Sequence, residues 1–372
     1  MEAKTTWTVR CADYENALPP AFERLLAESS LLNPQAVAGR RVLVKPNLLT
    51  DRAPEQAVTT HPALLRLVIR HLKSAGAVVS VGDSPASATN IRSVLEKTQI
   101  GAVCKEEGVP FASFEQEGAR AYSVNGFDFT LACPVVEADL IVSLPKVKSH
   151  ALTKLTAAVK NLYGAVPGYS KTTLHRLHPR PNEFGRLVQA VWRVLPPTVS
   201  IADAVIGMEG QGPANGRPVK LGFLAASANP FALDIALCKI LHIKPESVPY
   251  LKGMVGDNAP EIAGDAVDIA SFEVPAGSHL LDFLPERLTR MAAKVLWVRP
   301  QIDGGLCIGC GRCLRACPVS ALAQPDAQGR GVPLLKRQAC VGCACCHEVC
   351  PKGAIRMHES PVLRLAHAVL SS

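Results

Sequence analysis

RVLVKPNLL at Arg41–Leu49, LLRLVIRHLKSAG at Leu64–Gly76 and AVVSVGDSP at Ala77–Pro85 follow one another as strand, helix and strand. The first is a short apolar run suited to a strand covered on both faces. In the second, Leu64, Leu65, Val68, Ile69 and Leu72 fall on one side of a helix running from His61 to Ala75, and Gly76 closes it. Ala77–Gly82 is the next strand. Ala138–Leu144, Val199–Val205 and Leu221–Ala226 extend the series, with helices expected near 91–107, 152–163, 183–195 and 231–241. This alternation predicts an α/β domain, a mostly parallel sheet with helices on both faces, over residues 1–285. Leu281, Leu284, Leu288, Met291 and Val295 among Arg287, Arg290 and Lys294 predict an amphipathic helix over Leu280–Arg299, with 286–300 as the connecting segment. It leads into a small α+β domain at 301–358 and a tail at 359–372.

The composition excludes several classes. The chain has 372 residues, 48% hydrophobic and 19% charged, enough apolar material for a core and too little charge for disorder. No uncharged apolar run reaches the roughly 18 residues of a membrane helix; the stretch Leu131–Pro145 is broken by Glu137 and Asp139. Met1–Cys11 has no charged start followed by an apolar run, so no secretory signal is read and the expectation is cytoplasmic. The net charge of +8 is spread along the chain and aromatic residues are only 5%, which argues against nucleic acid as a partner.

Nine of the thirteen cysteines lie between Cys307 and Cys350. Cys307, Cys310, Cys313 and Cys317 before Pro318 follow C-x2-C-x2-C-x3-C-P, and Cys340, Cys343, Cys346 and Cys350 before Pro351 repeat it. Disulfides belong to small secreted chains, and zinc takes paired C-x2-C knuckles, so the repeat points to two [4Fe-4S] clusters. In this motif the fourth cysteine of each run ligates the other cluster. The expected ligand sets are therefore Cys307, Cys310, Cys313 and Cys350 for one cluster, and Cys340, Cys343, Cys346 and Cys317 for the other. Gly309, Gly311 and Gly342 sit between ligands, where backbone must come close. Cys345 reads as a packed thiol outside the ligand sets, and His347 as an exposed bystander. Residues 301–358 resemble the bacterial ferredoxin with two [4Fe-4S] clusters, which implies low-potential, one-electron transfer. Free ferredoxins are commonly acidic, whereas seven basic residues face three acidic ones here. Two readings stand: the excess docks an acidic carrier (a ferredoxin or flavodoxin) or the rest of the chain, or it offsets the anionic clusters.

In parallel α/β sheets ligands bind beyond the carboxyl ends of the strands. Lys45 and Asn47 end the first strand, Asp83 the second, and Lys146, Lys148 and His150 follow Leu144. At a spacing of two, these last three project to one side of an extended chain, and the helix expected from Ala151 adds N–H donors for an anion. Lys160 and Asn161 join them if the fold turns that helix inward. His61 precedes Pro62 at a helix start, either as a cap or as a neutral imidazole in a cleft; Glu209 lies in the glycine-rich stretch Gly207–Gly216 as an acid or base, or in a plain loop. The dinucleotide, P-loop, zincin and serine-hydrolase motifs are missing from the sequence.

KPNLL (Lys45–Leu49), THP (Thr60–Pro62), VGDSP (Val81–Pro85), LPKVKSH (Leu144–His150), VKNLYGAVPG (Val159–Gly168) and DAVIGMEGQGP (Asp203–Pro213) together resemble the bacterial and archaeal family catalogued as domain of unknown function 362. Its members often carry a C-terminal ferredoxin with two clusters, so the resemblance implies this architecture and these residues without naming a substrate. The expected function is that of an iron–sulfur oxidoreductase of anaerobic metabolism. Lys45, Asn47, Lys146, Lys148, Asn161 and Glu209 would bind a small anionic molecule, with Lys160, His150, His61 and Asp83 at the chemistry. The alternative is a non-catalytic relay or binding protein that docks a redox partner.

Overall fold

The computed structural model describes residues 4–86, 89–275, 297–325 and 331–362. In chain order the strands of the large domain are β1 (Thr5–Arg10), β2 (Arg41–Pro46), β3 (Val78–Asp83), β4 (Phe111–Ser113), β5 (Ala119–Val124), β6 (Phe127–Ala132), β7 (Leu140–Leu144), β8 (Lys146–His150), β9 (Lys154–Thr156), β10 (Thr198–Glu209), β11 (Arg217–Ser227) and β12 (Glu261–Gly264). The main sheet runs β12-β1-β11-β10-β7-β2-β3-β4, with β8 and β9 attached beside β10, while β5 and β6 form a separate hairpin. From β10 through β7, β2 and β3 to β4 every pairing is parallel; β11 is antiparallel to both β1 and β10. The fold is the expected α/β one.

Period-two alternation explains why the sheet is covered twice. On β2, Leu43 enters one core while Val42 and Val44 enter the other; on β7, Ile141 parts in the same way from Leu140, Val142 and Leu144. The helices Leu18–Ser29 and Pro62–Ser74 cover the second face, the latter with the five apolar residues named from the sequence. The helices Ala158–Leu162, Gly168–Leu177, Pro181–Trp192 and Pro230–Ile240 cover the first. Among the described residues no helix is long and apolar enough to cross a membrane.

Three local expectations change. Residues 91–107 form two helices, Ile91–Lys97 and Ile100–Glu106. The helix expected over 152–163 starts only at Ala158, because Lys154–Thr156 fold back as β9 and pair with β8, with Lys154 in the left-handed region at φ 61°. Leu152, Leu155 and Val159 fit a helical stripe, but the β-branched Thr153 and Thr156 belong to a hairpin. The connecting helix falls on residues outside those described up to 296; beyond them Val298 and Arg299 belong to a strand.

That strand, β13 (Val298–Ile302), pairs with β16 (Ile355–Glu359), and β14 (Leu322–Ala323) pairs with β15 (Leu334–Leu335), making the small ferredoxin-like domain. It is seated on the large one. Arg312 forks onto Asp51 at 2.7 and 3.1 Å, where Lys97 and Ser93 also bond that carboxylate, and Arg52 donates to the Cys350 carbonyl at 2.8 Å. His347 is not exposed as expected. It is fully buried in the joint, its ring between the carbonyl oxygens of Gln211 and Ile355 while Asn215 donates to its backbone.

Gly185, in the helix Pro181–Trp192, lies against the backbone of Pro249 and Tyr250, where an added Cβ would collide with the Pro249 carbonyl. Gly185→Ala should therefore destabilise the domain by about 1–3 kcal/mol despite the better helix propensity of Ala, read as a lower urea midpoint at unchanged m-value.

Candidate functional site

Beyond the carboxyl ends of β2, β3 and β8 lies a cavity of about 80 Å³. Lys45, at the end of β2, is 1% exposed and paired with Asp83 at 2.6 Å; the other Asp83 oxygen accepts from the Leu48 amide. Lys148 donates to Asn47 Oδ1 at 2.8 Å and to the Val58 carbonyl at 2.7 Å. Asn47 in turn donates to Asn161, which is tied to Ser143 and to the Lys45 carbonyl. The short helix that carries Lys160 and Asn161 is held at its N-terminus by Asp234, whose two oxygens accept from Ala158 and Val159. This replaces the expected helix start at Ala151 as the local N–H array, and those donors are already taken.

The rest of the wall comes from residues the motif reading did not name as site residues. Lys171 and His175 stand four apart on one face of the helix Gly168–Leu177, with Lys171 bonded to the Ser84 carbonyl and His175 stacked on Phe184 at 4.5 Å. Lys160 lies over the rings of Tyr163 and Phe184 at 5.1 and 5.3 Å. Cys345, Glu348 and Val349 of the small domain close the cavity, and Glu348 reaches His150 Nε2 at 3.4 Å. His150 Nδ1 accepts from the Leu152 amide, so in the neutral ring the proton sits on Nε2 and points to Glu348.

Burial sets the electrostatics. It lowers Lys148 to about 7, with Lys146 adding like-charge repulsion, and Lys171 to about 8; Lys160 falls for the same reason. His175 drops to about 3 and His150 falls well below its ordinary value, first by burial and then by the lysines, so both are neutral. Burial raises Glu348 despite its cationic neighbours. Thr156 Oγ1, Tyr163 Oη and His175 Nδ1 are buried in this wall without a hydrogen-bond partner. Unsatisfied buried polar atoms are costly, and three in one wall mark a place built for a ligand.

The expected binding and catalytic residues divide. Lys45, Asn47, Asp83, Lys148, His150, Lys160 and Asn161 line the cavity; Lys146, His61 and Glu209 do not. Lys146 is spent on Asp203 at 2.7 Å, Tyr14 and the Ile206 carbonyl. The one-sided alternation fails because β8 pairs irregularly with β10, Lys146 opposite Asp203 and Lys148 opposite Met208. His61 caps its helix through Nδ1, stacks on Tyr14 at 3.6 Å, and is lowered by burial to about 4. Glu209 is bonded to Arg217 and to the Glu273 amide.

In the small domain Cys307, Cys310, Cys313 and Cys350 ring one cavity, and Cys343, Cys340, Cys317 and Cys313 are the thiol neighbours of Cys346. The thiols surround a space instead of converging on a point, as suits a cluster of several atoms. Gly309, Gly311 and Gly342 all take positive φ, and the amides of Ala321 and Ala354 donate to the sulfurs of Cys317 and Cys350, both at 3.2 Å. This donor set fits two [4Fe-4S] clusters.

Residues 42–239 match the family described as domain of unknown function (DUF362), and residues 300–357 match the 4Fe-4S dicluster domain. The chain belongs to the DUF362 family. With its dicluster domain it is an iron–sulfur electron-transfer protein. The DUF362 chain is 33% identical over 251 residues, 67% of its own length and 78% of the relative's, to a thylakoid-associated protein of Synechocystis sp.. Among solved structures it is similar to the lactate racemase apoprotein from Thermoanaerobacterium thermosaccharolyticum (TM-score 0.41, 13% identity, 63% of this chain and 56% of that one). It is also similar to a Thermotoga maritima protein (TM-score 0.39, 14% identity, 57% and 56%). The chain thus spans little more than half the length of these two structures.

Crossed ligation gives a test. Cys350→Ser should abolish the cluster held by Cys307, Cys310 and Cys313 and halve the iron content, leaving one cluster signal in the electron paramagnetic resonance spectrum; loss of the Cys340–Cys346 cluster instead would contradict the pairing.

Proposed function

We propose that this DUF362 protein is an oxidoreductase that passes single electrons from its dicluster domain to a small anionic substrate in the cavity between the domains. The observation that carries the reading is the cavity wall itself. Cys345, Glu348 and Val349 lie between and beside the ligands Cys343, Cys346 and Cys350, so whatever fills the cavity touches the loop that wraps the clusters.

Bound [4Fe-4S] clusters supply electrons one at a time at low potential. The chain's own groups do the rest. Lys148, Lys160 and Lys171 hold negative charge, in a wall shielded from water where each interaction is stronger than in solution. Tyr163 Oη and the neutral His150 Nε2–H can donate hydrogen bonds, while the ammoniums of Lys148 and Lys171, lowered by burial to about 7 and about 8, can yield protons. Asp83 and Lys45 neutralise each other and serve as a fixed floor, a different part from the proton-handling one expected of Asp83. His61 and Lys146 have no place in the reaction, being bonded to the Ala63 amide and to Asp203 outside the cavity.

Electrons arrive at the outer wall of the small domain. Cys310 is exposed, with Ile308 at 60% and Leu306 at 45% beside it and the exposed cations Arg315 and Lys352 on the same domain, a surface suited to a small acidic carrier. The same surface also favours the second reading, a relay in which the cavity only senses a metabolite.

The two readings part in one experiment. The protein is reduced anaerobically and cluster reoxidation is followed by absorbance against a panel of anionic metabolites and one acidic ferredoxin. Reoxidation by a metabolite, slowed at least tenfold in Lys160→Met at unchanged iron content, is the expected result; reoxidation by the carrier alone would establish the relay. The metabolite reaction should also weaken as pH rises through about 7 to 8. Lys148 and Lys171 lose their protons there, and the anion is bound by the protonated forms.

A further inference from the structure

The size and charge of the cavity narrow what it takes. A water needs roughly 10–15 Å³ of such space, so 80 Å³ holds on the order of six water-sized groups. Nucleotides and flavins are far larger. Lys45 is cancelled by Asp83, so Lys148, Lys160 and Lys171 leave at most three positive charges to be matched. A nucleoside triphosphate would overfill that charge. The remaining wall includes Leu48, Leu49, Ala86, Pro213 and Val349, apolar side chains that would be wasted on a bare inorganic ion and that suit a short carbon skeleton.

The unpartnered groups say where the charged end goes. Tyr163 Oη and Thr156 Oγ1, 3% and 4% exposed, are hydroxyls with protons to give, and the Lys160 ammonium lies over the Tyr163 ring. Three donors in the wall of one cavity are the complement of a carboxylate. His175 Nδ1, also unpartnered, remains for a hydroxyl or second acid group on the same molecule.

Resting on the oxidoreductase reading above, we propose that the substrate is a small mono- or dicarboxylate of on the order of six to eight non-hydrogen atoms, its carboxylate bound by Lys160, Tyr163 and Thr156. Lys148 and Lys171 then balance a second acidic group where there is one. A molecule held there shares the cavity wall with Cys345 and Glu348, next to the cluster loop.

Calorimetric titration of the cluster-loaded protein tests this with acetate, malonate, succinate, inorganic phosphate and flavin mononucleotide as probes. At least one of the three carboxylates should bind with a dissociation constant below about 1 mM, at least tenfold weaker in Lys160→Met and about tenfold weaker in Tyr163→Phe. Tyr163→Phe keeps the ring that packs under Lys160, so it reads the hydroxyl without a gap in the core. Lysine-dependent binding of flavin mononucleotide, binding of phosphate alone, or no binding by any carboxylate would overturn the proposal. Carboxylate binding without cluster reoxidation by keto or unsaturated acids of the same size, whose C=O or C=C bond can take two electrons and two protons, would leave this ligand assignment standing and sink the oxidoreductase reading. Reoxidation by a large or phosphorylated metabolite would do the reverse.

Discussion

Three lysines buried at the carboxyl edge of one sheet are the constraint on which this structure turns. An ammonium taken out of water costs several kcal/mol unless something compensates it. Lys45 has Asp83 and Lys146 has Asp203, each at under 3 Å. Lys148, equally buried, has only the neutral oxygens of Asn47 and Val58. The unequal provision separates a structural pair from a binding group, because an ammonium without a counter-ion either gives up its proton or takes an anion. Asn47 and Asn161 then hold the uncompensated lysine in place by hydrogen bonds that add no charge.

The second domain is fixed by the same economy of charge. Arg312 stands between cluster ligands yet sends its guanidinium out to Asp51, whose carboxylate is held below the usual range; burial opposes this, and the bonds from Arg312, Lys97 and Ser93 outweigh it. So part of the basic excess in the small domain is spent within the chain. Arg315 and Lys352 remain outside, on the exposed side.

Much of this was legible in the sequence. The strands, the two-sided cover and the cluster loops follow from period and spacing, which depend on backbone geometry alone. Of the expected cavity residues, Lys45, Asn47 and Asp83 sit at strand ends, where sequence order fixes position. Lys146 is kept from the cavity by Asp203, which β10 places opposite it, a pairing invisible in a one-dimensional pattern. Lys171 and His175 carry no motif and reach the cavity only through helix packing, while Tyr163 lies inside VKNLYGAVPG as a ring that the pattern does not set apart from the core. Glu348 did leave a trace. In the repeated cysteine runs it occupies the position of the exposed Arg315, and Cys345 that of Arg312. A reversal of charge at equivalent positions marks the loop that turns inward, and aligning the two runs would have found it.

One feature of the joint reaches further. Residues 345–349 are at once the turn that carries cluster ligands and the wall that seals the cavity. A chain ending before residue 300 would keep the sheet and the lysines but have only a trough open on one side, half of a mould. Loss of metal acts on the same turn, since the fold of that turn depends on its sulfurs being tied together. Cluster loop and cavity are therefore one inheritable unit: neither can be exchanged, lost or redesigned without reshaping the other.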